Sequence, residues 1–180
     1  MHGTIHVARA LLGKILLHGS ASGIIVETEA YTGPGDDASH SARGVTPRTR
    51  VIFGPPGHAY VYLIYGMYQC LNIVAEPDGV PGGVLIRAIQ PLTGIEQMQS
   101  RRRAARRVED LANGPGKLTQ AFGITMQHNG ADVTRGTLTV HPPKNETQLD
   151  IAVSPRIGIT KAADLPLRFF LRGNPFVSRG

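Results

Sequence analysis

The chain has 180 residues, a formal charge of +6 and an apolar fraction of 41%. This length and composition favour one globular domain over residues 1–180, not a disordered chain. No apolar run approaches the roughly 20 residues that a membrane-spanning helix needs. A single cysteine excludes an intrachain disulfide framework and a Cys-based zinc site, and it indicates a reducing compartment. The excess of basic residues favours a polyanionic partner, with nucleic acid ahead of an anionic membrane.

The N-terminal segment predicts an amphipathic helix over residues 8–17, with a strand after Gly13 as the alternative for its last part. Its start resembles a secretory signal sequence only superficially. Lys14 interrupts the apolar run, and few basic residues precede it.

Residues 23–31 are an apolar run that ends in Glu27, Glu29 and Tyr31. In a regular strand alternate side chains share a face, so these three would point the same way. A carboxylate beside an aromatic ring suits chemistry next to a stacked planar ligand. The alternative is an amphipathic strand whose polar face lies in water, and the stretch alone does not separate the two.

A short helix and a basic loop are predicted next. Asp36 and Asp37 are placed to cap a helix that contains His40. The loop that follows is rich in Gly, Pro and Arg, and Arg48 and Arg50 lie close together in it.

Residues 58–76 predict two apolar strands joined at Tyr65-Gly66-Met67. Hairpin tips usually contain Asn, Asp or Gly. An exposed Tyr and Met would form an apolar protrusion of the kind that minor-groove proteins insert between base pairs. The alternative is that this segment is buried.

Residues 84–91 predict a further strand with Arg87 in its middle. An arginine in an apolar strand is costly to bury unless an anionic or polar group meets it. Residues 93–108 predict a helix with Thr93 and Glu96 in a capping box. Its last turns hold five arginines, which we interpret as a solvated basic face, with phosphate contact as the alternative.

Residues 113–117 resemble a phosphate-binding loop before a predicted helix over residues 118–124. The spacing excludes a nucleotide-hydrolysis motif, because Leu111 occupies the first glycine position and Leu118 follows Lys117. A contact from Lys117 or the backbone to one phosphate stays open.

The C-terminal part predicts strands over residues 136–140 and 165–173 and a polar loop over residues 142–147. Strands dominate the chain, and no linker or internal repeat interrupts it. The predicted class is therefore α+β, a single mixed domain around a mostly antiparallel β-sheet with short helices.

Several common catalytic signatures are absent from the sequence: H-E-x-x-H, G-x-S-x-G and the dinucleotide fingerprint. Cys70 lies inside an apolar strand and is interpreted as a buried small hydrophobic residue and not as a nucleophile. The polar groups left in the central segments each have an ordinary structural explanation. Together they would line a pocket for a flat heterocycle. They are Glu29, Tyr31, His40, Tyr62, Asn72 and Arg87.

Three segments in order strongly resemble the alkyladenine (3-methyladenine) DNA glycosylase family. They are IVETEAYTGPGDDASHSARGVTPR, YVYLIYGMYQCLNIV and VLIRAIQPL. The later LANGPGKLTQAFGI, SPRIGI and LPLRFFLRGNPFVS fit the same family, so the resemblance extends from about Ala8 onward. It implies a monofunctional base-excision repair enzyme that flips alkylated or deaminated purines from duplex DNA and hydrolyses the N-glycosidic bond, leaving an abasic site. It also implies a curved sheet and a fold without metal or cofactor.

The resemblance also implies roles for individual residues. Glu29 would be the base that activates water, and Arg87 would help position that water. Tyr31 and Tyr62 would stack on the flipped base, and His40 would hydrogen-bond near it. The remaining roles are a gatekeeper against the exocyclic amine of guanine at Asn72 and a wedge at Tyr65 with Met67 beside it. We also expect Arg48, Arg50 and Lys117 to contact DNA.

Physical chemistry is consistent with this reading. Cleavage at C1′ develops oxocarbenium character, which a nearby carboxylate stabilises. No lysine near these motifs is placed to form a Schiff base, so strand cleavage is not expected. We expect a monomer that acts on double-stranded DNA inside the cell.

Two other functions remain open from the sequence. A nucleic-acid-binding module without catalysis would explain the charge and the tyrosines, but not Glu29 or Arg87. An enzyme acting on free nucleosides is the second alternative.

Overall fold

The protein folds around one curled antiparallel sheet, a half-barrel, in a computed structural model that describes residues 3–145 and 147–179. Three short helices lie against it: α1 Gly3–Ala10, α2 Ile95–Arg101 and α3 Pro115–Phe122. The strands of the described residues are β1 Ile15–His18, β2 Ala21–Tyr31, β3 Ala59–Ile64, β4 Tyr68–Val74, β5 Gly83–Thr93, β6 Leu138–His141, β7 Ile151–Ser154 and β8 Arg168–Leu171. The predicted α+β class with a curved antiparallel sheet is confirmed.

The two longest strands, β2 and β5, pair at the centre of the sheet. The strand order is β3-β4-β5-β2-β1-β6, and β8 pairs with both β2 and β7. Along its other edge, β2 pairs first with β1 and then with β8 opposite Glu27–Glu29. The polar end of β2 therefore lies between β5 and β8.

The ladder between β2 and β5 is irregular next to the two carboxylates. Ile25 lies opposite Ile89 and Glu27 opposite Ala88, which leaves Val26 out of the pairing. On the other strand, Arg87 is left out in the same way. Such bulges increase local twist and re-aim side chains.

The helices and the sheet bury one continuous apolar cluster. α3 packs across β4 and β5, and its Leu118 and Phe122 are fully buried. Burying side chains of this size contributes roughly 1.5–3 kcal/mol each to stability. The Thr119 hydroxyl donates to the carbonyl of Gln69 at 2.8 Å and joins the helix to β4. This packing fixes Pro115, the first residue of α3, beside the cavity described below.

The N-terminal helix lies earlier in the chain than predicted, over Gly3–Ala10 and not over residues 8–17. It ends at Ala10, and residues 15–18 form β1, so the strand alternative is correct. Gly13 between them has φ +78°, a left-handed conformation that glycine adopts readily and that ends the helix.

The predicted caps at two later helices are wrong. After Asp36 and Asp37 the chain forms a short 3₁₀ turn over His40–Arg43, and Ser39 caps it instead. Thr93 is still in β5, where its hydroxyl donates to the carbonyl of Ser20 at 3.0 Å. α2 therefore starts only after Gly94 and ends at Arg101.

Other boundaries differ by a few residues. α3 begins at Pro115, a residue that is favoured in the first helical turn because it needs no intrahelical N–H partner. In the predicted polar loop over residues 142–147, Glu146 lies outside the described residues. Within the part of the chain that the structure describes, no helix combines the length and apolarity that spanning a bilayer requires.

Candidate active site

A cavity of about 300 Å³ opens at one end of the central sheet. β2, β3, β4 and β5 contribute to its lining, together with the loops over residues 38–40 and 157–159. Six of the residues predicted for the site line this cavity: Tyr31, His40, Tyr62, Tyr65, Asn72 and Arg87. Glu29 does not line it, but lies directly behind Tyr31 and Arg87.

The Glu29 carboxylate is fully buried and held by three groups. The Tyr31 hydroxyl donates to Oε2 at 3.0 Å, and the Ile157 N–H donates to Oε1 at 2.8 Å. Arg87 Nη1 lies 3.3 Å from Oε1. Burial raises the pKa of Glu29, and the Glu27 charge raises it further, whereas Arg87, the Ile157 amide and Tyr31 lower it; the net direction is upward. A raised pKa makes the ionised carboxylate a stronger base near neutral pH.

Arg87 joins both carboxylates of β2. Its Nε donates to Glu27 Oε1 at 3.2 Å, and its other side faces Glu29. Glu27 is also fully buried. The predicted grouping of Glu27, Glu29 and Tyr31 is therefore correct, and the alternative of a polar face in water is wrong.

A second buried ion pair supports the Tyr31 ring. The Arg156 guanidinium lies 4.6 Å from the ring centroid, a cation–π geometry. The same guanidinium donates to both Asp36 oxygens, at 2.6 and 2.7 Å. Sequence reasoning missed this pair because the two residues lie far apart in the chain. The sequence offers only a weak signal, an isolated arginine in SPRIGI.

His40, Tyr60 and Tyr62 form an aromatic wall. The centroids of Tyr60 and Tyr62 lie 5.3 Å apart with their planes 30° apart, and the His40 ring meets Tyr62 edge-on at 4.4 Å. His40 Nδ1 is 3.1 Å from the Tyr60 hydroxyl. His40 is partly exposed, but partial burial, together with the Arg48 charge, lowers its pKa. The His40 imidazole is therefore neutral at neutral pH. Tyr60 was not predicted for the site, although it shares a strand face with Tyr62.

Asn72 and Cys70 form the floor beside this wall. Asn72 is buried, and its Nδ2 donates to the carbonyl of Tyr60 at 3.3 Å. Cys70 is a buried free cysteine, and burial raises the pKa of its thiol. Its interpretation as a buried small residue is confirmed.

The hairpin tip is an exposed apolar protrusion at the rim of the cavity. The exposed fractions are 81% for Tyr65 and 67% for Met67. Tyr65 has φ +52°, a conformation that is uncommon for residues other than glycine. The alternative of a buried tip is wrong.

Basic side chains lie on both sides of the cavity. Arg48 is exposed, donates to the carbonyl of Leu63 at 3.2 Å and stacks 5.3 Å from the Tyr62 centroid. Arg50 is exposed in the same loop. On the α3 side, Lys117 is exposed and donates to Asn113 Oδ1 at 2.8 Å.

The arginine cluster over residues 101–107, which begins at the last residue of α2, is only partly a solvated face. Arg101 Nη1 donates to the carbonyl of Ala121 at 3.0 Å, and Arg102 Nη1 donates to Gln120 Oε1 at 3.0 Å. Both therefore help to pack α2 against α3, and Arg103 is exposed.

Among the described residues, no group of three or more His, Cys, Asp or Glu side chains is arranged to hold a metal ion.

Buried carboxylates beside an arginine and an aromatic cavity are groups suited to acid–base chemistry next to a planar ring. The chain also matches the family model described as methylpurine-DNA glycosylase over residues 2–175. A relative from Methanoculleus marisnigri is 51% identical, and the alignment covers 98% of this chain and 94% of that protein. A relative from Bacillus thuringiensis is 48% identical over 98% and 94% of the two chains, and one from Prosthecochloris aestuarii is 48% identical over 98% and 86%. All three relatives are named "Putative 3-methyladenine DNA glycosylase".

The chain belongs to the methylpurine-DNA glycosylase family. It is accordingly a DNA-repair enzyme of the hydrolytic N-glycosylase type.

Proposed function

We propose that this protein removes alkylated purines, 3-methyladenine among them, from double-stranded DNA by a flipped-base hydrolysis in the cavity described above. The observation that supports this most strongly is the Glu29 carboxylate, held by Arg87 and Tyr31 at the back of an aromatic pocket. The names of the relatives support the class of substrate. Deaminated purines are included in the proposal because a neutral hypoxanthine presents the same flat ring.

Glu29 is the general base in this mechanism. A water enters between Tyr31 and Arg87, gives a proton to Glu29 and attacks C1′ as the N-glycosidic bond breaks. The carboxylate charge also stabilises the oxocarbenium character of the transition state. Glu29 is fully buried, and its partners Tyr31 and Arg87 line the cavity, which supports an approach of water from that side. The base leaves with the bonding electron pair, and an abasic site remains.

The cavity binds the extruded purine by stacking and edge contacts. Tyr31 and Tyr62 stack on the ring, and electron-rich aromatic faces favour an alkylated, cationic base. His40 hydrogen-bonds near the ring. Asn72 excludes the exocyclic amine of guanine by its side-chain amide.

The surface around the cavity binds the duplex. Tyr65 inserts into the stack at the vacated position with Met67 beside it; the exposure of both side chains and the contact of Tyr65 with the cavity support this role. Arg48, Arg50 and Lys117 contact phosphates, so binding weakens as salt increases. The protein acts as a monomer, inside the cell and on its DNA.

The experiment is base release from otherwise identical duplexes, each with one lesion: 3-methyladenine, 7-methylguanine, hypoxanthine or ethenoadenine. We expect release of free base from at least the alkylated duplexes, with intact DNA strands until the abasic sites are cleaved by alkali. An undamaged duplex is the control.

The same panel separates the alternatives. Salt-sensitive binding to every lesion duplex without any base release would indicate a binding module. Release from free nucleosides alone, without release from duplexes, would indicate a nucleoside hydrolase and contradict the proposal.

A further inference from the structure

Glu27 is a buried carboxylate next to the site that has no part in the mechanism above. Its Oε1 accepts from Arg87 Nε at 3.2 Å, Arg168 Nε at 2.6 Å and Ser178 Oγ at 2.8 Å. Its Oε2 accepts from the Ser178 N–H at 2.7 Å. Four donors on one fully buried side chain form a completely satisfied network, and such networks hold their members rigidly.

The charges alternate along this network. Arg168 pairs with Glu27, Glu27 with Arg87, and Arg87 with Glu29. Two carboxylates thus neutralise two guanidinium groups, which is the condition for burying them at acceptable cost. Removing the Glu27 charge would leave Arg168 without its carboxylate and Arg87 with Glu29 alone.

Separate parts of the fold converge on Glu27. Arg87 comes from the bulged part of β5, Arg168 from the start of β8 and Ser178 from the C-terminal segment. Arg87 Nη2 also donates to Ser178 Oγ at 3.5 Å. The Nε edge of the guanidinium is therefore fixed from behind, while its Nη1 atom lies against Glu29.

We propose that Glu27, held by Arg168 and Ser178, is a positioning residue that fixes the Arg87 guanidinium against Glu29 for base release. This inference rests on the proposed function. It extends the site to the C-terminal segment, because Ser178 supplies two of the four hydrogen bonds that Glu27 accepts.

Positioning and simple structural support predict different results. Loss of structural support lowers the fraction of folded protein. Loss of positioning lowers the rate of base release per lesion-bound enzyme, because a guanidinium without its Glu27 anchor shifts relative to Glu29. A displacement of about 1 Å at a reacting centre can reduce a rate roughly 100-fold.

The test measures single-turnover base release from the duplex that the wild type cleaves fastest in the lesion panel. Active enzyme is titrated by stoichiometric binding of the same duplex. Glu27→Gln removes the charge and replaces one accepting oxygen with an amide group that can only donate hydrogen bonds to neighbours that are themselves donors. We therefore expect a rate of base release on the order of 100-fold lower per bound enzyme. Its Kd for the duplex should stay within about twofold of the wild-type value, because a positioning loss acts on the chemical step.

Two further variants keep the test decisive. Ser178→Ala removes one hydroxyl and keeps the backbone bond, so we expect a folded protein with a rate roughly 3- to 10-fold lower. The matched control is Asp150→Asn, which removes the carboxylate from an exposed ion pair with Arg172 at 3.1 Å. Its rate should equal that of the wild type.

A double-mutant cycle tests whether Glu27 acts through Arg87. We expect Glu27→Gln combined with Arg87→Met to be as slow as Arg87→Met alone. The proposal would be overturned if the rate reduction of the double variant equalled the product of the two single reductions. A wild-type rate in Glu27→Gln would also overturn it. If Glu27→Gln does not fold, a wild-type rate in Ser178→Ala overturns it.

The outcomes separate this proposal from the proposed function. An inactive wild type, or an active Glu29→Gln variant, would contradict the proposed function itself. An active wild type, an inactive Glu29→Gln and a fully active Glu27→Gln would contradict only the positioning role.

Discussion

The Tyr31 hydroxyl donates to Glu29 Oε2 at 3.0 Å, so the strand that supplies the carboxylate also supplies one of its hydrogen-bond donors. This bond lowers the pKa of Glu29 against the opposing effect of burial. Tyr31→Phe removes only the hydroxyl and leaves the ring for stacking. A hydrogen bond to a charged group contributes about 1.5–3 kcal/mol. The rate of base release should therefore fall roughly 10- to 100-fold at pH values at which Glu29 is partly protonated.

The sign of the pH effect follows from the same bond. A base must be ionised, so the rate rises as pH passes the pKa of Glu29. Without the hydroxyl this pKa is higher, and the acid limb of the single-turnover rate moves to higher pH. Tyr68→Phe, at an exposed tyrosine outside the cavity, is the matched control. An unmoved acid limb in Tyr31→Phe would contradict the assignment of Glu29 as the base.

Asp36→Asn should destabilise the protein strongly. Asp36 and Arg156 are both buried, and their two contacts are 2.6 and 2.7 Å long. Breaking a buried pair leaves an uncompensated charge and costs about 3–5 kcal/mol. Denaturant unfolding measures this loss, with Asp150→Asn as the exposed counterpart. A loss below about 1 kcal/mol would be typical of surface pairs and would contradict the buried geometry.

Tyr65→Ala should slow base release and leave the fold intact. The side chain is 81% exposed, so its removal costs little packing. Tyr65→Gly removes the same side chain and relieves the left-handed backbone, and its free energy of unfolding should lie within about 1 kcal/mol of the wild-type value. Single-turnover rates and thermal unfolding test both variants. A large fall in the melting temperature would mean that Tyr65 supports the fold and not the DNA.

Asn72→Ser should relax the exclusion of guanine. The shorter side chain opens space at the cavity floor and removes the amide that donates to the Tyr60 carbonyl. Release of guanine from an undamaged or mismatched duplex should rise above the wild-type background, while release of alkylated adenine persists. An unchanged spectrum of released bases would contradict the gatekeeper role.

Much of the site could be predicted because its residues lie in segments with short-range patterns. The strand period placed Glu27, Glu29 and Tyr31 together, and the unusual tip sequence at Tyr65 indicated a protrusion. Arg87 in an apolar strand predicted an anionic or polar partner, and the structure supplies two carboxylates.

The other parts of the site and fold depend on contacts between segments that are distant in the sequence. The Arg156–Asp36 pair and the Ser178–Glu27 bonds link residues more than 100 positions apart, and no local pattern identifies which residues pair. The bulge at Arg87 was also missed, because it depends on the pairing of two strands and not on either one. The helix caps predicted at Asp36 and Thr93 were wrong for a related reason. Both side chains instead bind groups from distant parts of the chain.

The central claim is that Glu29 performs the chemistry and is not needed for recognition. Glu29→Gln keeps the shape of the side chain and removes its ability to accept a proton. The decisive measurement compares lesion-duplex binding and single-turnover base release for this variant and the wild type. We predict binding within about twofold of wild type and release reduced by at least roughly 1,000-fold. Release at the wild-type rate by Glu29→Gln would contradict the account.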